Sequence, residues 1–360
     1  MEKKKRIYQI DLLRFIAALS VVLYHFIFFT YKVDGLEGGF DGISDYFKYG
    51  YLGVDLFFII SGFVIVLSIG HNSVTRFLIS RITRLYPTYW LSVLLTFLVV
   101  IFFGAPAFNA EWGDFFLNLT MFQNYFDIPN MDGVYWTLFV EMKFYLFIIV
   151  IYLLLNKVKK INLDYVIYFW TGLTALYLVF SSFPMMSILN ELFILKWSSY
   201  FIAGMVFHQV YKGKLTLKYG AILILLCMIS IVRAIKRADI LEVNFDATFS
   251  PIVIGSIIFS FYAVMFLIAM HKLQAINTKR WVSLGMLTYP LYLLHQKIGR
   301  VIAFNFNDSV DKYVLLLLMV GAMLLVAYVL SRFYEPFVSK KLKLGLERVF
   351  LKKKQPSSID

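Results

Sequence analysis

Cysteine is almost missing from this sequence, which has a single one, Cys227, in 360 residues. One cysteine excludes a disulfide within the chain, and it excludes a metal cluster built on cysteine ligands. Cys227 stands in an apolar run, where a small buried hydrophobic residue is the simplest interpretation. We therefore predict that the protein uses no metal cofactor.

Charged residues are also scarce, at 16% of the chain, whereas hydrophobic residues make up 60%. Soluble domains contain about a quarter charged and about half apolar residues. Aromatic residues reach 19%, including 37 Phe and 24 Tyr, and this excess suits surfaces that face lipid. The apolar runs are continuous and do not alternate as in barrel strands. The composition predicts an all-α polytopic membrane protein.

Apolar runs long enough to cross a bilayer, about 20 residues each, recur along the whole chain. We predict about ten transmembrane helices from these runs. They lie near 7–30, 50–70, 85–104, 138–155, 162–180, 193–211, 217–232, 250–270, 281–304 and 312–334.

Basic residues concentrate at alternate connections, which by the positive-inside rule predicts that both termini are cytoplasmic. The clusters are Lys3, Lys4, Lys5 and Arg6; Arg76, Arg81 and Arg84; Lys157, Lys159 and Lys160; Lys212, Lys214 and Lys218; Lys272, Lys279 and Arg280; and the C-terminal residues Lys340, Lys341, Lys343, Arg348, Lys352, Lys353 and Lys354. An outer connection with Arg233, Lys236 and Arg237 departs from the rule. The net charge of +13 follows mostly from this topology, so we predict no nucleic-acid partner.

The chain has no long linker or internal repeat, which predicts one integral-membrane domain over residues 1–345. Residues 346–360 are predicted to form a basic, flexible cytoplasmic tail. The largest outer connection, about 105–137, is rich in Phe, Asn and Asp and is predicted to fold back onto the membrane surface. Membrane lipids are the first expected partners, and the cytoplasmic membrane of a bacterium is the expected location.

The first predicted span, DLLRFIAALSVVLYHF, carries Asp11, Arg14 and His25. Ionisable residues are costly inside a membrane, so each is a functional candidate. Eleven steps of about 100° return Arg14 and His25 to one helix face, about 16 Å apart along the axis. Asp11 and Arg14 are close enough in sequence to pair. The alternative is structural: a buried ion pair and a core histidine that hold neighbouring helices together.

Two carboxylates are predicted to lie at the depth of His25 in other helices. Asp55 follows GYLGV near the outer end of the second span, and Glu141 lies at a similar position in WTLFVEMKFYL of the fourth. A carboxylate beside an imidazole orients the ring and favours its charged form, which suits a general base. Because helix ends attract polar residues, the three depths could also coincide by chance.

The connection RFLISRITRLYPTYW places Arg81 and Arg84 at the cytoplasmic start of the third span, with Trp90 further along. Arginine forks suit phosphate oxygens, although arginines at this position are also what the positive-inside rule predicts. In the ninth span, TYPLYLLHQKIGR carries His295 and Arg300. These two are predicted either to line an outer cavity or to play a structural role.

Taken together, these stretches resemble the membrane-bound acyltransferase-3 family. The resemblance rests on Arg14 and His25 with ten residues between them, on GVDLFFIISGF around Asp55, on Arg81-x-x-Arg84 followed by Tyr-Trp, and on WTLFVEMKFY. YPLYLLH in the ninth span also fits. The fourth motif has Thr137 where the family usually has serine.

The resemblance implies an O-acyltransferase with a cytoplasmic acyl-CoA donor, most commonly acetyl-CoA, and an extracytoplasmic hydroxyl of a surface polysaccharide or lipid-linked glycan as acceptor. By matching positions, His25 would be the catalytic histidine and Glu141 would support the outer site, where the depth argument also places Asp55. Arg14 would lie along the donor path, and CoA would be held at Arg81, Arg84 and Trp90.

The role of His25 and the functional class of the protein both have alternatives. His25 could deprotonate the acceptor hydroxyl or carry the acyl group itself. A secondary transporter or a flippase of a glycan precursor would also need charges in the membrane and a midplane cavity, though it predicts repeat symmetry that we do not find. A scaffold protein would leave the common depth of His25, Asp55 and Glu141 unexplained.

Overall fold

Residues 6–69, 73–157 and 162–351 are described by a computed structural model, and every regular element in those ranges is helical. The prediction of an all-α polytopic protein is therefore confirmed. The predicted topology signals at Lys3, Lys4, Lys5, Lys159, Lys160 and Lys352 to Lys354 lie outside the described residues.

Within the described ranges, ten helices that correspond to the predicted spans form the body of the protein. They are α1 (Tyr8–Leu23), α2 (Gly53–Ile69), α3 (Val74–Phe103), α4 (Trp136–Lys157), α5 (Leu163–Phe180), α6 (Ser198–Tyr211), α7 (Leu217–Phe245), α8 (Pro251–Ala269), α9 (Trp281–Phe306) and α10 (Lys312–Val329).

In the part of the chain that the structure describes, eight helical segments are long and apolar enough to cross a membrane. The two other predicted spans correspond to α6, which has only 14 residues, and α9, which carries Gln296, Lys297 and Arg300. Both are largely buried by their neighbours. Ten spans and a cytoplasmic location for both termini stay predictions.

Several helices begin at a side chain that accepts a hydrogen bond from the backbone of the first turn, as is common at helix N-termini. Ser73 caps α3, Asn162 caps α5 and Thr216 caps α7. Asp311 caps α10 by accepting from the N–H groups of Tyr313 and Val314 at 3.0 and 3.2 Å.

Glycine allows α2 and α6 to approach backbone to backbone. A Cβ atom on Gly62 would lie 2.1 Å from the carbonyl oxygen of Phe201, and one on Gly204 would lie 2.0 Å from that of Ile59. Small residues are typical of close helix contacts in membranes. This contact places Asp55, at the start of α2, beside the core of the bundle.

The first helix changes its winding at His25. After α1 the chain makes a π-helical turn over Tyr24–Phe29 and continues as a short α-helix over Thr30–Val33. The carbonyl oxygen of His25 accepts from the backbone N–H of Thr30 and, at 2.7 Å, from its hydroxyl. Single π-turns occur often at functional sites, because they reorient one side chain within a helix.

Two predicted helix ends are wrong. Arg233, Lys236 and Arg237 were expected in an outer connection, but they lie inside α7, which extends to Phe245. Arginine is tolerated there because Arg237 has a buried carboxylate partner.

The last helix does not end near residue 334. It passes through a π-helical turn at Leu330–Tyr334 and continues as an α-helix over Glu335–Phe350. The residues of the predicted tail up to Phe350 are therefore helical, and residues 352–360 lie outside the described ranges.

The connection between α3 and α4 packs along α3. It contains a short helix, Trp112–Asn118. Three backbone carbonyl groups, at the last residue of this helix and at the two residues after it, accept hydrogen bonds from aromatic side chains of α3. Tyr86 donates to Thr120 at 3.0 Å, Tyr89 to Asn118 at 2.6 Å and Trp90 to Leu119 at 3.0 Å.

Candidate functional site

Three cavities follow one another along α1, and neighbouring cavities share lining residues. The basal cavity, about 720 Å³, lies at the start of α1 and is lined by Arg6, Asp11, Arg14, Arg84 and Glu335 among others. The middle cavity, about 100 Å³, shares Arg14, Arg84, Gly285 and Tyr289 with it. The distal cavity, about 340 Å³, contains His25 and shares Val54 and Tyr292 with the middle one.

The basal cavity contains one ion pair and two arginines without a hydrogen-bonded partner. Asp11 binds the guanidinium of Arg6 through both oxygens, at 2.7 and 2.9 Å, and this bond raises the pKa of Arg6. The predicted pair of Asp11 with Arg14 is therefore wrong. Among the described residues, none forms a hydrogen bond with the guanidinium of Arg14 or Arg84. Both charged groups thus line the basal and middle cavities with free donors.

Gly285 of α9 allows α1 to pass close to it at this point. A Cβ atom there would lie 2.7 Å from the side chain of Asp11. The close approach brings α9 against the face of α1 that carries Arg14. The basal and middle cavities consequently meet between these two helices.

Glu141 lies in the middle cavity and accepts two hydrogen bonds. The hydroxyl of Ser61 donates to its Oε1 at 2.8 Å, and the hydroxyl of Tyr145 donates to the same oxygen at 2.6 Å. Ser61 of α2 therefore holds the carboxylate of α4 in place. Glu141 faces the arginine-lined part of the path.

His25 pairs with a second histidine and not with a carboxylate. Its Nδ1 lies 2.8 Å from the carbonyl oxygen of Val21 and 3.0 Å from Nε2 of His295 on α9. The Nδ1 of His295 lies 2.8 Å from the carbonyl oxygen of Tyr292. Both rings are buried.

These contacts determine the tautomer of each neutral ring. A carbonyl oxygen only accepts, so the proton of each histidine belongs on Nδ1. The Nε2 of His295 then accepts from Nδ1–H of His25. The Nε2 of His25 keeps its lone pair and forms no hydrogen bond within the described part of the chain. A free imidazole lone pair next to a cavity is what a general base or a nucleophile requires.

Asp55 is held by an arginine and lies apart from the two histidines. Its oxygens accept from both terminal nitrogens of Arg237, at 2.9 and 2.6 Å, and its side chain is fully buried. Tyr51 and Trp197 flank the guanidinium, with ring centroids 4.9 and 5.2 Å away. Of this pair, Arg237 lines the distal cavity.

The predicted trio therefore divides into three separate hydrogen-bonded groups. His25 contacts His295, Asp55 contacts Arg237, and Glu141 contacts Ser61 and Tyr145. Each of the three groups contributes at least one lining residue to the row of cavities. Their roles in a reaction stay predictions.

The predicted donor-site residues of α3 also separate. Arg84 lines the basal and middle cavities, whereas Arg81 is buried with its guanidinium over the rings of Phe77 and Tyr145, at 5.5 and 5.7 Å. Trp90 donates to Leu119 and is not a lining residue of the three cavities. The structure thus places Arg14 and Arg84 together.

A buried carboxylate positions the wall of the distal cavity. Asp132 accepts from the backbone N–H of Lys297 at 2.8 Å and from that of Val134 at 3.1 Å. Burial raises the pKa of Asp132 to about 6, and these two hydrogen bonds oppose the rise. The adjacent Gly133 packs against Gln296, because a Cβ atom there would lie 2.3 Å from its amide oxygen.

Sequence reasoning missed Arg237 and Gln296 and left His295 undecided. Arg237 was assigned to a loop, although a lone buried Asp55 already required a cation. His295 and Gln296 are adjacent in the motif YPLYLLHQ, and that motif was the signal for this part of the site.

Helices long and apolar enough to cross a membrane, with a row of cavities between them, define the class of an integral-membrane protein. The family model described as an acyltransferase domain matches residues 7–332, so the chain belongs to the acyltransferase-3 family and is an acyltransferase. A protein of Acidianus two-tailed virus named "Putative acetyltransferase ORF330" is 26% identical over 290 residues, which cover 79% of this chain and 80% of that protein. No solved structure matches the chain.

Proposed function

We propose that this acyltransferase moves an acyl group, expected to be acetyl, from cytoplasmic acyl-CoA to a hydroxyl of an extracytoplasmic glycan or glycolipid. The observation that supports the proposal is the row of three cavities from Arg6 to His25. The 17 steps from Tyr8 to His25 correspond to about 25 Å. The basic connections orient the basal cavity toward the cytoplasm, so the donor enters there and the acceptor meets His25.

The donor end is suited to phosphate. Arg14 and Arg84 present guanidinium groups that no carboxylate of the described chain binds, and arginine forks match phosphate oxygens. The CoA phosphates would bind in the basal cavity, and the thioester arm would extend through the middle cavity past Glu141. In this arrangement Arg84 contributes to donor binding directly, and Arg81 stabilises the packing of α3 on α4.

His25 can act in either of two balanced ways through Nε2. As a base, it takes the proton of the acceptor hydroxyl while that oxygen attacks the thioester carbon; the C–S bond breaks and the CoA thiolate leaves. As a carrier, Nε2 attacks the thioester carbon, the C–S bond breaks and the CoA thiolate leaves; the acceptor oxygen then attacks the acyl carbon, the C–N bond breaks, and Nε2 takes the hydroxyl proton. In both routes the ring becomes positively charged, and the neutral Nε2 of His295 stabilises it by accepting from Nδ1–H.

The proposal is tested on the glycan. Surface glycans from cells with the wild-type chain and from cells without it are compared by NMR and mass spectrometry. We expect O-acyl groups only where the chain is present. Identical acylation in both samples would contradict glycan acylation. Loss of the glycan itself from the surface, without any change in acyl content, would favour a transporter or flippase.

The two arginines of the RxxR motif are expected to respond differently. Arg84→Gln removes charge-assisted hydrogen bonds worth about 1.5–3 kcal/mol, so the KM for acyl-CoA should rise by about tenfold or more. The amount of folded protein should not change, because Arg84 is exposed. Arg81→Gln removes two cation–π contacts and should mainly lower the melting temperature. Steady-state kinetics of both purified variants measures the KM for acyl-CoA, and thermal unfolding measures the melting temperature. An equal rise of the KM in the two variants would contradict the separate roles of Arg84 and Arg81.

A further inference from the structure

We propose that the distal cavity is the subsite for the acceptor, and that the sugar it takes is uncharged, such as a hexose or an N-acetylhexosamine, and not a uronic or sialic acid. The inference rests on the proposed function, since it concerns the acceptor of that reaction. It is drawn from the walls, the polar groups and the charges of the cavity.

The cavity is sized and walled for a sugar ring. Its volume of about 340 Å³ falls within the range of about 300–1,000 Å³ of small-molecule sites. Aromatic residues of four segments line it, among them Tyr24, Tyr51, Trp136 and Tyr292. Trp136 is held in place by Trp197, with ring centroids 5.0 Å apart. Rigid aromatic faces can pack against the C–H faces of a pyranose while its edges remain free for hydrogen bonds.

One polar group of the wall has no partner. The side chain of Gln296 is 6% exposed, and its amide oxygen is buried without a hydrogen bond from any described residue. A buried acceptor left without a donor costs about 1–3 kcal/mol, so a ligand that supplies a hydroxyl would be favoured. Gln296 and His25 line the same cavity, so a sugar hydroxyl bound at the amide of Gln296 lies in the cavity that His25 borders.

The permanent positive charge among the lining residues of the cavity is already paired with a carboxylate. Among its lining residues, Arg237 is the one with a permanent charge, and Asp55 occupies both of its terminal nitrogens. His25 must be neutral at Nε2 to act. A sugar carboxylate in this cavity would therefore be buried without a free counter-ion and close to Asp55, which is strongly unfavourable. A neutral sugar avoids this cost.

The test uses the full-length protein in proteoliposomes with radiolabelled acetyl-CoA. Methyl glucoside and N-acetylglucosamine are compared with glucuronic acid and N-acetylneuraminic acid as acceptors, and both acetylated sugar and released CoA are measured. We expect kcat/KM to be at least tenfold higher for the neutral sugars. Gln296→Leu should raise their KM about tenfold and leave the KM for acetyl-CoA unchanged. The control Gln274→Leu, at an exposed position outside the cavity, should change neither.

Each result is decisive. Equal or better use of the acidic sugars, or a Gln296→Leu variant with unchanged acceptor KM, would overturn the neutral-sugar subsite and leave the proposed function standing. Consumption of acetyl-CoA without acetylation of any sugar would overturn the subsite and the glycan acceptor. The proposed use of acetyl-CoA as the donor would still stand. If acetyl-CoA is not consumed at all, the proposed function itself fails.

Discussion

Replacing His25 by alanine is expected to abolish acyl transfer while the chain still inserts and accumulates. The substitution removes the nitrogen lone pair that faces the distal cavity, and a positioned base contributes about 10²–10⁴-fold to a rate. The ring borders an existing cavity, so its loss should disturb packing little. Glycan NMR measures the acyl content, and quantitative immunoblotting of the membrane fraction measures the protein.

Substitutions of His295 are expected to lower acyl transfer by different amounts, and each by less than His25→Ala. His295→Gln keeps an oxygen that can accept from Nδ1–H of His25, whereas His295→Leu removes the acceptor. We expect Gln to retain more activity than Leu, and both to retain more than His25→Ala. In His295→Glu, a carboxylate would favour the charged form of His25, so the lower limb of the pH profile of kcat/KM should move to higher pH. A profile that does not move would show that His295 only fills space.

Intact-protein mass spectrometry separates the two routes for His25. When the wild-type protein meets acetyl-CoA without acceptor, a carrier accumulates an acetyl group on His25, and a base does not. The matched control is His25→Ala, which has no imidazole at this position and should gain no acetyl group there.

The sequence was sufficient to predict a helical membrane protein and the face that joins Arg14 to His25, since both follow from local periodicity. It did not predict which side chains of different helices contact one another. His25 and His295 are 270 residues apart, and Asp55 and Arg237 are 182 apart. Such pairs arise from the packing of α1 on α9 and from the extension of α7 past its apolar run.

The sequence also left the partner of Asp11 ambiguous, because two arginines lie close to it. Asp11 could pair with Arg14 on the same helix face, but Arg6 lies before α1 begins and reaches both oxygens of the carboxylate. Arg14 is consequently left to line the cavities. A depth estimate placed three acidic and basic groups at one level, but it could not say which of them touch. Contact between helices decides that.

Asp55→Ala is expected to deplete the folded protein. The substitution leaves the guanidinium of Arg237 buried without its carboxylate, and breaking a buried ion pair in this way costs about 3–5 kcal/mol. We expect a marked fall in melting temperature and in the amount of protein in the membrane. Glu347→Ala is the matched control, because Glu347 pairs with Lys343, their side chains are 38% and 57% exposed, and an exposed pair contributes less than about 1 kcal/mol.

The double variant Asp55→Leu with Arg237→Leu separates a structural from a catalytic role for Asp55. Apolar residues in place of a buried ion pair are often tolerated, because no charge is left without a partner. If Asp55 is the counter-ion of Arg237, the double variant should recover much of the melting temperature that Asp55→Ala loses. If Asp55→Ala instead accumulates and melts like the wild type yet transfers no acyl group, the carboxylate acts in the reaction, as the depth argument from the sequence predicts. Thermal unfolding in detergent and the acetyl-CoA assay on the same preparations measure both quantities.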